Sequence, residues 1–200
     1  MNSRLNIVPD PAFAGLTPAL VERIGRIGAS LHAAEFCALM DPLLCQTLQR
    51  GFTGAGAHEG TVWLVDEPGQ NLEPVYNTGP DAAKFVGCFK QPLGSGLIGM
   101  VFASQQSFLE NEVGHNAKQS KLLDSRLQTQ TQAMIAVPLH LLSDCRGVIS
   151  CVQLKRPGTP DLRLPGFMPE HLEDIQRVAS VLAQLIEFRL LSLAVGWTMA

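Results

Sequence analysis

The chain has no paired-cysteine pattern, no long apolar run, no basic field and few aromatic side chains. Its five cysteines are Cys37, Cys45, Cys88, Cys145 and Cys151, an odd number with no Cys-x-x-Cys among them. That argues against a disulfide framework. Cys37 and Cys45 fall on predicted helices among Phe36, Leu39, Leu43 and Leu44, where they read as small apolar core side chains. A net charge of −3 offers no field to hold a phosphate backbone, so nucleic acid is excluded as a partner. The first ten residues lack the basic start, apolar run and cleavage site of a secretory signal. The longest apolar-rich run, residues 190–200, is broken by Ser192, Gly196 and Thr198 and falls short of the ~20 residues that cross a bilayer. No membrane partner is expected, and the expected location is the cytoplasm. The histidines are His32, His58, His115, His140 and His171, and none has metal-ligand spacing to another His or Cys.

What is present is enough to fold. The chain has 200 residues, of which 46% are hydrophobic and 16% charged. That suits one ordinary domain with chain left for terminal helices. Thr17-Pro18 reads as a helix start, and Leu20, Ile24, Ile27 and Leu31 then form one apolar stripe. Asp41-Pro42 repeats the start signal before Leu43, Leu44, Leu48 and Phe52, with Gly51, Gly54 and Gly56 ending that helix.

Strand character begins after Gly60. Residues 61–65 are β-branched and aromatic, 66–71 are turn chemistry, and 72–77 form a return strand. Pro74 places that return strand at an edge or a bulge. Residues 85–91 read as a weaker third strand and 107–111 as a short one. Residues 112–131 form a polar loop carrying one short helix around Leu122. Residues 132–142 and 146–155 are apolar almost throughout and read as central strands joined by a turn at Ser143-Asp144-Cys145. A proline- and glycine-marked loop, 157–169, leads into a long helix from Glu170. The order of elements is that of an α+β fold.

Gly94, Gly96 and Gly99 share the spacing of a dinucleotide turn, but Lys90-Gln91-Pro92 is no buried strand and the helix after it stops near Ser104. Ser95 has no His-and-acid pair to activate it and reads as a helix N-cap.

Residues 92–110 open with these glycines, run into a short apolar helix and end in a small strand. Together with the strand at 61–65 and its Asp66-Glu67 turn, the strand ending Val137-Pro138-Leu139, Gly147-Val148-Ile149 and the last helix, they resemble the GAF domain family from about Leu31 to Phe188. The resemblance implies a six-stranded antiparallel sheet with N- and C-terminal helices on one face and a lid of helix and loops on the other. It implies a non-catalytic sensor: a small-molecule site under a lid spanning Gly94 to Arg126, with signalling through a homodimer of terminal helices. Ser95, Gly96, Asn111, His115, Asn116 and Met134 are expected to line the site. The cluster His115-Asn116-Ala117-Lys118 is the place where lid polarity meets a ligand, solvated loop being the other reading. No catalytic residue, metal or named cofactor is expected. Domain bounds are expected at 1–16 for an N-terminal tail, 17–189 for the domain and 190–200 for an apolar extension. The tail's Leu190, Leu191, Leu193, Val195 and Trp197 read as an interaction surface. An output protein is an expected partner, and a stand-alone regulator and a piece of a longer chain both stay open.

Subgroup signals of the family are mostly missing. Where cyclic-nucleotide binders carry Asn-Lys, this chain has Gln153 and Leu154, with Lys155 one residue late; Phe167 fits, but His171 stands at the Asp position. The free methionine-R-sulfoxide reductase branch uses a cysteine four residues before the glycine turn, and Cys88 has that spacing from Pro92. Ile98 stands where that branch has a second cysteine, and residues 112–131 contain none. With no cysteine between Cys88 and Cys145, a covalently attached bilin is disfavoured as well. Two alternatives accompany the sensor reading: a structural dimerisation module without ligand, and a thiol-dependent methionine sulfoxide reductase-like enzyme using Cys88.

Overall fold

The computed structural model describes residues 11–156, 158 and 164–197. Residues 157 and 159–163 of the loop expected at 157–169 and the outer ends of both expected tails lie outside the described residues. Four helices come first: α1 (Pro11–Ala14), α2 (Thr17–Ala29), α3 (Ala33–Leu39) and α4 (Pro42–Gly54). Strands β1 (Glu59–Val65), β2 (Asn71–Asn77) and β3 (Gln91–Pro92) follow, then α5 (Gly96–Ser104), β4 (Phe108–Glu110) and α6 (Leu122–Leu127). Strands β5 (Gln130–Leu141) and β6 (Asp144–Lys155) and helix α7 (Pro169–Ala194) complete the order. Helix α7 runs unbroken past residue 189, and its Leu190 is buried in the core.

The six strands form one antiparallel sheet in the order β3-β2-β1-β6-β5-β4. The fold class is therefore α+β, and β1 and β6 occupy its centre. The Pro74 signal acts as its chemistry requires. The β1–β2 register slips between Val62 and Trp63, where Tyr76 and then Pro74 are the partners, so Val75 is bulged out. The two-residue β3 pairs only with Asn71 and Leu72, so Pro74 lies beyond the strand ladder on that side, where its carbonyl accepts from the Gly87 amide at 3.0 Å.

Two apolar layers sandwich the sheet. On one side Phe36, Leu44, Leu48 and Phe52 of α3 and α4, with Ile175, Leu182 and Ile186 of α7, pack on Val62, Leu64, Ile135 and Ile149. Each such side chain contributes ~1.5–3 kcal/mol on burial. Asp41 caps α4 as its position predicts, accepting from the Leu44 amide at 2.9 Å. It also pairs with Arg189, which donates to the Leu39 carbonyl at 2.8 Å and so ties α7 to the start of α4. The Leu44 amide, followed by Arg189, holds the Asp41 carboxyl below its ordinary range. On the other face a second layer unites Trp63, Leu72, Phe85, Phe89, Val101, Ala136 and Val148.

Several local expectations are corrected. Residues 85–90 are not a strand. A 3₁₀ turn at Ala82–Lys84 continues with Phe89 N–H donating to Phe85 O at 2.9 Å, so both phenylalanines turn to the same apolar layer at helical spacing. Thr17 sits inside α2, and its hydroxyl reaches back to Phe13 O at 3.4 Å. The β5–β6 turn is Leu142-Ser143, both at positive φ (53° and 75°), the geometry of a tight two-residue hairpin. Cys37 is exposed on α3, not a core side chain, and Cys45 is half-buried. Cys151 is the buried cysteine, and burial pushes its thiol up to about 12.

Candidate functional site

Period two along the central strands puts a polar row on the face that looks away from α7. Glu59, Thr61 and Trp63 of β1, and Ser150, Val152 and Leu154 of β6, alternate with residues of the helix-side core. Together with Thr131 and Met134 of β5 they floor a cavity of about 70 Å³. Its roof is Gly96, Leu97 and Ile98 of α5, Gln119 and Ser120 of the loop, and Leu123, Asp124 and Leu127 of α6. Asn77, Phe85 and Gln91 close one side.

The floor is braced by its own hydrogen bonds. Trp63 Nε1 donates to Ser150 Oγ at 2.9 Å, and the ring meets Phe89 edge-on at 6.2 Å. Asn77 Nδ2 donates to Thr61 Oγ1 at 2.9 Å. Glu59 is 4% exposed, and such a charge must be paired. Arg156 supplies the pair and also bonds Asp81 at 3.0 Å.

The roof is anchored through Asp124. Its carboxylate accepts from the Thr131 amide at 2.9 Å, the Thr131 hydroxyl at 2.7 Å and Gln119 Nε2 at 3.0 Å. These bonds fasten α6 and the preceding loop to the start of β5. The glycine segment supports the opposite edge. Gly96 has φ +74°, and a Cβ there would meet Ser120 Cβ at 2.9 Å. A Cβ on Gly99 would lie 2.5 Å from the Leu93 carbonyl oxygen, so only glycine lets α5 seat on the 92–93 backbone.

Of the six residues expected to line a site, Gly96 and Met134 line this cavity. Ser95 precedes α5, makes no side-chain cap, and its hydroxyl accepts from Gln91 Nε2 at 2.8 Å. Asn111 and His115 line a separate cleft of about 370 Å³ with Gln130, Gln153 and Gly166. There Asn111 grips the Phe167 backbone, donating to its carbonyl at 2.9 Å and accepting from its amide at 2.7 Å. His115 is exposed beside Glu112 at 3.5 Å. Asn116 accepts from the Lys118 amide at 2.9 Å and shapes a turn. Sequence reasoning missed Glu59, Thr61, Trp63, Asp124, Thr131 and Ser150. The signal for β1 was there: polar or amphipathic residues at 59, 61 and 63 alternate with apolar 62 and 64.

Gln153 and His171, at the positions of the cyclic-nucleotide pattern, hold backbone instead. Gln153 donates to Gly56 O at 3.1 Å and Gly166 O at 3.2 Å, and His171 Nδ1 accepts from Met168 N at 3.1 Å. Cys88 is exposed, lies outside the cavity lining, and sits 3.3 Å from Arg126 Nη2.

The model of the GAF domain family matches residues 40–186. The chain belongs to the GAF family. Domains of this family typically serve as regulatory or sensor modules. Solved GAF-type structures share the fold. The GAF domain of a phosphoenolpyruvate-protein phosphotransferase from Coxiella burnetii is 16% identical, covers 94% of this chain and 99% of its own, and superposes with a TM-score of 0.61. The free methionine-R-sulfoxide reductase of Neisseria meningitidis, solved with its substrate, is 18% identical over 97% of this chain and 99% of its own, with a TM-score of 0.56. The GAF-B domain of DevS from Mycobacterium smegmatis is 18% identical over 74% of this chain and 95% of its own, with a TM-score of 0.52. At such identities the likeness is one of fold. No curated protein matches the chain.

Proposed function

We propose that this GAF domain is a non-catalytic sensor that binds a small molecule between the sheet and the lid formed by α5, the 112–121 loop and α6. The observation that carries this reading is the lidded cavity itself. Its floor is built into the central strands, while its roof lies outside the strand ladder, seated by the packing of Leu97, Ile98, Leu123 and Leu127 and fastened by the bonds of Asp124 and of Arg126 to the Lys84 carbonyl. Such a site has a rigid half and a half that can open. Ligand binding then shifts an equilibrium between lid states.

The far end of β6, where a hairpin joins it to β5, supports a route outward. The Leu142 amide donates to Glu187 Oε1 of α7 at 2.7 Å, and the Leu142 side chain packs directly on Gly28 of α2. Movement of the β5–β6 hairpin is thereby passed to both terminal helices. Those helices leave Val21, Val181, Phe188 and Leu193 exposed, and Phe13, Leu16 and Trp197 flank them. An apolar surface of that kind fits a second copy of the chain.

One observation favours a second reading, the ligand-free dimerisation module. A cavity of about 70 Å³ is well below the ~300–1,000 Å³ of pockets that hold drug-sized ligands. Thermal unfolding with size-filtered extract of the native cells separates the two. A sensor is stabilised by the extract, by ~2.7 kcal/mol at a hundredfold excess over Kd. A module whose pocket is filled by its own side chains shows no shift with any fraction.

A further inference from the structure

We infer that the cavity selects a small cation carrying N–H donors, of the amidinium, guanidinium or protonated-amine class, over neutral and anionic molecules of the same shape. The inference rests on the reading of this cavity as a ligand site. Among the described residues that line the cavity there is no Lys, Arg or His; the ionisable ones are Glu59 and Asp124. Glu59 has its charge matched by Arg156. Asp124 is hydrogen-bonded by neutral donors, and among the described residues it has no ion pair. The cavity is therefore left with one unmatched negative charge under its roof.

The remaining acceptor points to the same class. Gln119 also lines the cavity, and its Oε1 is buried without a hydrogen-bond partner. The orientation of that amide is fixed chemically. Its Nε2 must face the Asp124 carboxylate, to which it donates at 3.0 Å, because a flipped amide would set oxygen against oxygen. A carboxylate with acceptor capacity to spare and an unsatisfied carbonyl on its neighbour together call for a donor-rich, positively charged group. Trp63 and Phe85 across the cavity supply aromatic surface that also favours a cation over an anion. An anionic ligand would meet repulsion from Asp124 and find no cation in the lining.

The test uses three probes of one planar shape: acetamidinium, acetamide and acetate, each titrated into the full chain at constant ionic strength. Binding is read from the indole N–H resonance of Trp63, with the exposed Trp197 indole as the internal control. The expected result is a saturable shift with acetamidinium at least about tenfold tighter than with acetamide, and no shift with acetate. Asp124→Asn is expected to remove that preference while the acetamide response persists. If the variant does not fold, the wild-type series still decides. Acetate or acetamide binding as tightly as acetamidinium overturns the charge inference and leaves the ligand site standing. A Trp63 resonance that none of the three moves overturns the inference and counts against the ligand site as well.

Discussion

Trp63→Ala lowers stability by about 3–5 kcal/mol, the range for truncating a fully buried aromatic. Trp63 is 2% exposed and stands at the centre of the sheet on its lid side. Its removal deletes the edge contact with Phe89 and opens the cavity floor. It also strips the buried Ser150 hydroxyl of the indole donor 2.9 Å away. For a chain of this length the loss corresponds to a fall in Tm of roughly 6–20 °C. Urea unfolding followed by far-UV circular dichroism checks it: the midpoint falls and the slope stays unchanged. Trp63→Phe keeps most of the apolar surface and is expected to cost less than half as much. A Trp63→Ala protein as stable as the wild type would mean that this face of the sheet is not a packed core.

Asp66→Ala costs about 2.5 kcal/mol at neutral pH and flattens the acid limb of the stability curve. Asp66 closes the β1–β2 turn from a position only 4% exposed. Its Oδ1 accepts from the amides of Gln70 at 2.8 Å and Asn71 at 2.9 Å, and its Oδ2 accepts from Asn71 Nδ2 at 2.7 Å. Lys90 lies 3.6 Å away. Burial, the largest single influence, pushes the carboxyl up; the Asn71 and Gln70 bonds and the Lys90 charge together outweigh it and hold the group at about 2. The folded value thus lies below the unfolded one of ~3.9. Stability from this group is complete above the unfolded value and is lost as pH falls through about 2. The variant lacks it throughout. The difference between wild type and Asp66→Ala should therefore be constant from pH 5 to 8 and shrink below pH 4. A difference that does not shrink would assign the loss to backbone distortion of the turn, not to the carboxylate.

Much of the architecture was legible because its signals are local. Asp41-Pro42 caps a helix wherever it occurs, and the side chain bonds the amide that capping chemistry names. Pro74 cannot donate to a ladder, so the bulge beside it and the end of the β2–β3 ladder short of it follow from one residue. The 85–90 segment misled for the opposite reason. Its Phe85 and Phe89 suggest a strand, yet they reach one apolar layer through helical turns, and that layer is assembled by residues far away in the chain. The site was half-legible. Glycines 96 and 99 mark a close backbone approach that the sequence announces. Alternation along β1 marks a strand and shows which residues share a face, but not which face is lidded. Asn111 and His115 are polar residues of the lid region, but Asn111 is spent on the Phe167 backbone and His115 faces solvent. Composition does not distinguish a side chain that waits for a ligand from one that holds a loop.

The ligand-sensing account is tested most directly by native mass spectrometry of the protein purified from its own cells without denaturation. The account predicts a dimer carrying a discrete small-molecule mass, released when the protein is unfolded. A dimer of bare polypeptide mass from every preparation would contradict the sensor reading and favour a structural module. A monomer would contradict the use of the exposed faces of α2 and α7 as a seam between two copies.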